Sequence, residues 1–195
     1  MRDLGELRFL LGIEFARSSK YILMHQRKYA LELISETRLG NAKPAWTPID
    51  NNNKLTSKHY DDYVNSEDDK EDPPADQSIY QRLIGNLLYL IMTRTNIAFG
   101  VQTLSQFLQQ PKKTHMEAAL RIVRYIKGQP GQGILLSSSQ DNKLTTFCDA
   151  DWASCSLTRK SITGYFIKFG NSVVSWKSKK QSTVPRIQQK LSTKL

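Results

Sequence analysis

An α+β fold is predicted by three observations: apolar, strand-like runs near the N-terminus, three helical stripes in the middle, and a return to strand formers after residue 143. Leu7 to Ala16 is rich in strand formers, Arg17-Ser18-Ser19-Lys20 is a polar turn, and Tyr21-Ile22-Leu23-Met24 starts a second apolar run, which reads as a β-hairpin. Tyr29, Leu33 and Ile34 then recur at helical spacing across residues 26–39, with Gly40 placed as a C-cap. Residues 43–77 hold Pro44, Pro48, Asn51 to Asn53, an acidic cluster and Pro73-Pro74, and read as a mobile linker. Three stripes follow: Ile79, Leu83, Leu87, Leu90; then Ile97, Val101, Leu104, Leu108; then Met116, Leu120, Val123, Ile126. The last has a capping-box pattern, Thr114 to Glu117, and stops at Gly128. Three amphipathic helices with short connections make a small bundle. Leu144 to Cys148, Gly164 to Phe169 and Val173 to Trp176 make an antiparallel three-stranded meander, with Gly170-Asn171 as a tight turn. A meander needs cover on its apolar face, and the basic, polar residues 177–195 offer little.

Composition narrows the function classes. At 195 residues with 39% hydrophobic and 9% aromatic content, the chain has enough for a core. The longest apolar run, Leu87 to Met92, is far short of the ~18 residues of a membrane span. With a charged N-terminus and no apolar signal core, the expectation is an intracellular protein of cytoplasm or nucleus, with no membrane partner and no small-molecule substrate. Cys148 and Cys155 lie seven apart, which is neither a redox pair nor a zinc knuckle, and His25, His59 and His115 are scattered. The net charge of +10 is uneven. Residues 51–80 carry three Lys/Arg against eight Asp/Glu, whereas residues 81–140 carry seven against one and residues 141–195 ten against three. Such a basic second half attracts polyanions by Coulomb attraction and counterion release.

Asp149 and Asp151 stand in Phe147-Cys148-Asp149-Ala150-Asp151-Trp152, at the end of the first meander strand. Carboxylates leaving a strand can hold divalent metal for phosphodiester hydrolysis, but two-metal chemistry needs about three or four of them to converge. No acidic residue follows Asp151, so these residues by themselves favour turn aspartates over metal ligands. Tyr60-Asp61-Asp62-Tyr63 imitates a polymerase motif but lies in the acidic stretch without flanking strands, and reads as solvated.

Three stretches, in order, resemble copia-type retrotransposon polyproteins. These are Met1 to Leu7 with Leu11-Gly12-Ile13-Glu14; Tyr80 to Leu90 with Thr93-Arg94 and Ile97-Ala98-Phe99; and His115 to Gly128, followed by Asp149 to Ala153, Arg159-Lys160-Ser161 and Ser175 to Gln181. The likeness covers about residues 1–186. It implies a primer-grip-like hairpin and helix over 1–42, an acidic flexible linker over 43–77 and a helical thumb- or connection-like segment over 78–140. A truncated ribonuclease H-like domain over 141–186 would complete the piece. It further implies Leu11, Gly12 and Ile13 near a primer backbone, and Asp149, with Asp151, as a Mg²⁺-binding and vestigial catalytic position. Arg159, Lys160, Lys179 and Lys180 would then be basic residues facing an RNA/DNA hybrid.

Two departures weigh against activity. The family's Tyr-x-Asp-Asp motif lies upstream of the segment with which this chain begins. Its acidic helix, which supplies the next metal ligand, is replaced after Arg186 by Ile187 to Leu195. One codon spelling of that tail, read two letters later, gives Pro-Ala-Glu-Ala-Glu-Tyr-Lys-Ala, so residues 187–195 are expected to be a frameshifted tail. A smaller departure is Thr95-Asn96 in place of Pro-Asp, which weakens a helix start that Asn can still cap. The expectation is a catalytically inactive fragment with weak, salt-sensitive nucleic-acid binding. The alternatives are a Mg²⁺-dependent nuclease completed by a partner chain, and a remnant without function.

Overall fold

In the computed structural model, residues 5–50, 55–58, 60–61, 72–138, 141–151 and 161–181 are described. The fold is α+β, with four α-helices and two antiparallel sheets among these residues. Strands β1 (Phe9–Leu10), β2 (Ile13–Arg17) and β3 (Tyr21–His25) lead into helix α1 (Arg27–Glu36). Helices α2 (Gln77–Leu90), α3 (Ala98–Leu104) and α4 (Lys113–Gly128) follow, then β4 (Gly133–Ser137), β5 (Leu144–Asp151), β6 (Ile162–Phe169) and β7 (Ser172–Lys180).

The predicted hairpin is β2–β3, in register Phe15↔Met24 and Ala16↔Leu23. A second hairpin, unforeseen, joins β1 to β2 through Leu11-Gly12, both at positive φ (48° and 73°). Two positive-φ residues in a two-residue loop match the right-handed twist of the strands, though a leucine there is uncommon. The sheet's fourth strand also escaped prediction. β4 pairs with β3, Tyr21↔Ser137 to His25↔Gly133, about 110 residues away in sequence. Gly133 is required there, because a Cβ would lie 2.1 Å from the Met24 carbonyl oxygen.

The core lies between the helices. Leu33, Leu83, Leu87, Leu90, Ile97, Val101, Leu104, Val123 and Ile126 are buried, so the stripes turn inward, though Leu108, Met116 and Leu120 are only partly covered and Ile122 takes a core place outside them. Ile79, however, is exposed, and Tyr80 and Ile84 take the inner face of α2. The Tyr80 hydroxyl is satisfied by donating to the Leu104 carbonyl (2.8 Å). Asp76 caps α2 by accepting from the Ile79 N–H (2.9 Å).

Three expected helix ends differ. α1 stops at Glu36, and Arg38, not Gly40, takes the left-handed conformation (φ 57°). The Leu39 N–H donates to Ile34 O and the Arg38 N–H to Ser35 O, which is a Schellman motif. α4 starts at Lys113 rather than after Thr114, with the His115 ring Nδ1 accepting from the Lys112 N–H (3.1 Å). Asp72 accepts from both the N–H and the hydroxyl of Thr114 (3.2 and 2.5 Å). Asn96 caps nothing; its amide donates to the Tyr125 hydroxyl (2.7 Å) and to Gln132 (3.1 Å).

The meander forms as expected, in order β5-β6-β7. Its strands run further than predicted, because β5 continues through Asp149 to Asp151. Cover for it comes from earlier in the chain: α3 and β4 both contact β7, and the Ser137 N–H donates to the Ser172 hydroxyl (2.7 Å).

Candidate nucleic-acid and metal site

Asp149 lies inside β5, opposite Gly164 of β6, and not in a strand-end turn. Side chains alternate along a strand, so Phe147 and Asp149 share a face with Phe166 and, on β7, with Trp176 and Ser178. That face, the 3-10 turn at Thr95 and the start of α3, at Ala98 and Phe99, line a cleft of about 790 Å³. The Asp149 carboxylate is at its exposed rim. Because Gly164 has no side chain, the space across from Asp149 stays open. Lys177 pairs with Tyr165 and Lys179 with Thr163, so both lysines, which are exposed, belong to the opposite face. Asp149 and Lys179 therefore do not converge.

Of Asp151 and Lys180 the backbone is described: each is in register with Ile162, from opposite sides of β6. Arg159 and Lys160 lie outside the described residues, as does the tail 187–195. Among the described residues no three His, Cys, Asp or Glu side chains gather as a metal site would require. One described carboxylate at an open rim does not fit the donor set of a Mg²⁺ pair, whose ligands are several oxygens per ion.

Leu11, Gly12 and Ile13 sit on the other sheet. Leu11 is exposed and Ile13 buried. The Tyr89 hydroxyl of α2 donates to the Leu11 carbonyl, and a Cβ on Gly12 would come 2.5 Å from that same hydroxyl. Tyr29 holds Tyr89 in turn, with ring centroids 4.9 Å apart and nearly perpendicular, while its own hydroxyl donates to Asn86 (3.0 Å). The hairpin tip and the Asn86-to-Leu90 stretch, distant in sequence, thus meet. Glu14 supports this corner by accepting from the Lys28 N–H at the start of α1 (3.0 Å), where a carboxylate complements the helix dipole.

Two residues to which the sequence assigned no structural role, Arg94 and His115, are buried and polar. Arg94 is 1% exposed, and its Nη2 donates to the carbonyls of Gln129 (3.0 Å) and Pro130 (2.5 Å), just past the end of α4. Burial lowers its pKa to about 10, with Tyr125 opposing. His115 is fully buried, stacked on Phe107 (3.9 Å between centroids), with Nε2 against the Thr56 carbonyl (3.0 Å). Burial, helped by the nearby charge of Lys112, lowers its pKa to about 4.

The stretch expected to be a linker also carries structure. Its described residues follow α4 from its C-terminal end to its N-terminal end. The Ala45 N–H donates to Arg124 O (3.2 Å), Arg121 reaches Thr47 (3.0 Å) and Asp50 (3.7 Å), and Lys112 pairs with Asp61 and with Asp72 (3.4 Å). Asp61 is raised by its burial, but hydrogen bonds from Lys112 and Thr56 outweigh this and lower its pKa. A run of acids opposite a basic helix was the signal available in the sequence.

The chain is similar to the retrovirus-related Pol polyprotein from transposon RE1 of Arabidopsis thaliana, 36% identical over 95% of this chain and 12% of that protein. It is likewise similar to that from transposon TNT 1-94 of Nicotiana tabacum, 34% identical over 94% of this chain and 14% of the relative. An uncharacterized mitochondrial protein of Arabidopsis thaliana is 30% identical over 95% of this chain and 72% of its own length. The chain spans about an eighth of the length of the Pol polyproteins it matches. No family model matches the sequence. No solved structure matches it. Among the described residues no helix is long and apolar enough to cross a membrane.

Proposed function

We propose that this chain, which belongs to the retrovirus-related Pol polyproteins of copia-type transposons, is a piece of the reverse transcriptase and ribonuclease H region that has lost both activities and keeps a weak, sequence-independent affinity for nucleic acid. The first sheet with α1 would correspond to the primer-grip region, the helices to thumb and connection, and the β5-β6-β7 meander to the start of a ribonuclease H domain.

The observation that carries this reading is the setting of Asp149. It lies on the first strand of the meander, where such a domain places its first metal ligand, yet among the described residues it belongs to no cluster of three metal-ligating side chains. Phosphodiester cleavage at neutral pH needs several carboxylate oxygens around paired ions to generate the nucleophile and stabilise the leaving oxygen. One described carboxylate does not supply them. The affinity rests on the excess of Lys and Arg over residues 81–195, which would contact phosphates without reading bases.

Incubation with an RNA–DNA hybrid and Mg²⁺ tests the loss of activity. The wild type should cleave no faster than Asp149→Asn, and Asp149-dependent cleavage would overturn the reading. A titration of labelled hybrid at 50 and 200 mM salt tests the affinity. Binding should weaken steeply with salt; affinity unchanged between the two conditions would remove the electrostatic basis.

A further inference from the structure

Basic residues dominate α4 and its start: Lys112, Lys113, Arg121, Arg124 and Lys127 face a single acid, Glu117. Carboxylates from the acidic stretch already hold two of these cations. Lys112, whose side chain is 8% exposed, lies between Asp61 and Asp72, and Arg121 lies beside Asp50. A third, Lys127, is taken up by the carbonyls of Leu39, Gly40 and Ala42. Each carboxylate occupies the place a phosphate oxygen would take on the same ammonium or guanidinium. The attachment is intramolecular, so these acids act at a high effective concentration that a weak external polyanion must overcome.

We propose that the carboxylates of Asp50, Asp61 and Asp72 form an acidic strap that competes with nucleic acid for Lys112 and Arg121, at the start and on the body of α4, holding down the chain's affinity for phosphate backbones. This deepens the binding role given under Proposed function and rests on it. Release of the strap frees Lys112 and Arg121 for phosphate, and the two occupants exclude one another at those side chains.

The test is fluorescence anisotropy with a labelled 20-nucleotide oligothymidylate, on the full chain, between 50 and 200 mM salt. The triple variant Asp50→Asn, Asp61→Asn, Asp72→Asn removes the competing charges, while Asn at 72 keeps a capping acceptor for α4. A matched triple, Glu6→Gln, Glu32→Gln, Glu36→Gln, raises the net charge equally at exposed positions away from the strap. The strap variant should bind about tenfold tighter than wild type, from two freed cations. Its log–log salt slope should steepen by about 1.4, at ~0.7 per contact on single strands. Asp50→Asn alone, at a partly exposed ion pair and with little folding burden, should tighten binding about threefold. Equal tightening in the matched triple would reduce the effect to net charge and overturn the proposal. So would a strap variant that binds no tighter while the wild type binds measurably, which leaves the binding reading standing. If neither wild type nor variants bind at 50 mM salt, the binding reading falls and takes the strap with it.

Discussion

Replacing Gly133 by alanine should unfold the molecule more easily than any surface change, and the size of the effect follows from the β3–β4 ladder. A Cβ at this position would stand 2.1 Å from the Met24 carbonyl oxygen and 2.9 Å from the His25 Cβ. Carbon–oxygen contacts in sheets settle near 3.3–3.6 Å, so the strands must part by about 1.2 Å. Met24 O belongs to the backbone, and no rotamer change can relieve the clash. The rungs that give way are His25↔Gly133 and Met24↔Ile134. Opening them loses about two backbone hydrogen bonds at ~1 kcal/mol each and roughly half the burial of Ile134, worth ~1 kcal/mol. The total is about 3 kcal/mol, or ~6–12 °C in Tm for a domain of this size. Urea denaturation at pH 7.5 with Gly131→Ala as comparison decides it, because the nearest atom to a Cβ there is Arg27 Cδ at an ordinary 3.7 Å. If Gly133→Ala lies within about 1 kcal/mol of wild type, or no lower than Gly131→Ala, the ladder is not as tight as the geometry requires.

Acid should destabilise the fold through His115. Burial and Lys112 hold its folded pKa at about 4, below the ordinary 6.5, so the unfolded chain binds the extra proton. The stability this contributes is complete above about pH 6.5 and is lost as pH falls toward 4, by on the order of 2–3 kcal/mol. Urea midpoints at pH 7.5 and 5 should differ more for wild type than for His115→Gln, and equal differences would discount the ring. Tyr89→Phe removes the donor to Leu11 O; it should cost about 1 kcal/mol and speed amide exchange over residues 10–15, and unchanged exchange there would contradict the clamp. Arg38→Gly should raise stability by about 0.5 kcal/mol, since glycine adopts a φ of 57° freely; a loss in thermal melts would mean that the arginine side chain matters more than its backbone.

The elements were legible where periodicity was long. Three helical stripes and the meander followed from apolar spacing, and those helices and strands form close to the expected places. What escaped was set by contacts between distant residues. Gly133 to Ser137 holds only three apolar side chains in a row after Pro130-Gly131, too few for a period to be read, and its partner strand lies about 110 residues earlier. Arg38 leaves no mark in the sequence of its left-handed conformation, and Gly40 looked like the better stop. The stretch 43–77 has the prolines, asparagines and acids of a linker, and the contacts of its described residues with Lys112, His115, Arg121 and Arg124 leave no periodic signal in the sequence. At the candidate site, the motif around Asp149 placed the aspartate near a strand end. Strand alternation, which puts Lys177 and Lys179 on the other face, needed the register of β5, β6 and β7.

The long reach of the β3–β4 pairing has a consequence during synthesis. β3 leaves the ribosome about 110 residues ahead of the strand that covers it. At ~5–20 residues per second that is an interval on the order of 5–20 s. Throughout it, the outer edge of a strand reading Tyr-Ile-Leu-Met offers unpaired amides and carbonyls to whatever strand comes near, a neighbouring nascent copy included. Crowded translation of this chain should therefore favour aggregates, and slowing initiation on its message should raise the soluble yield more than slowing elongation.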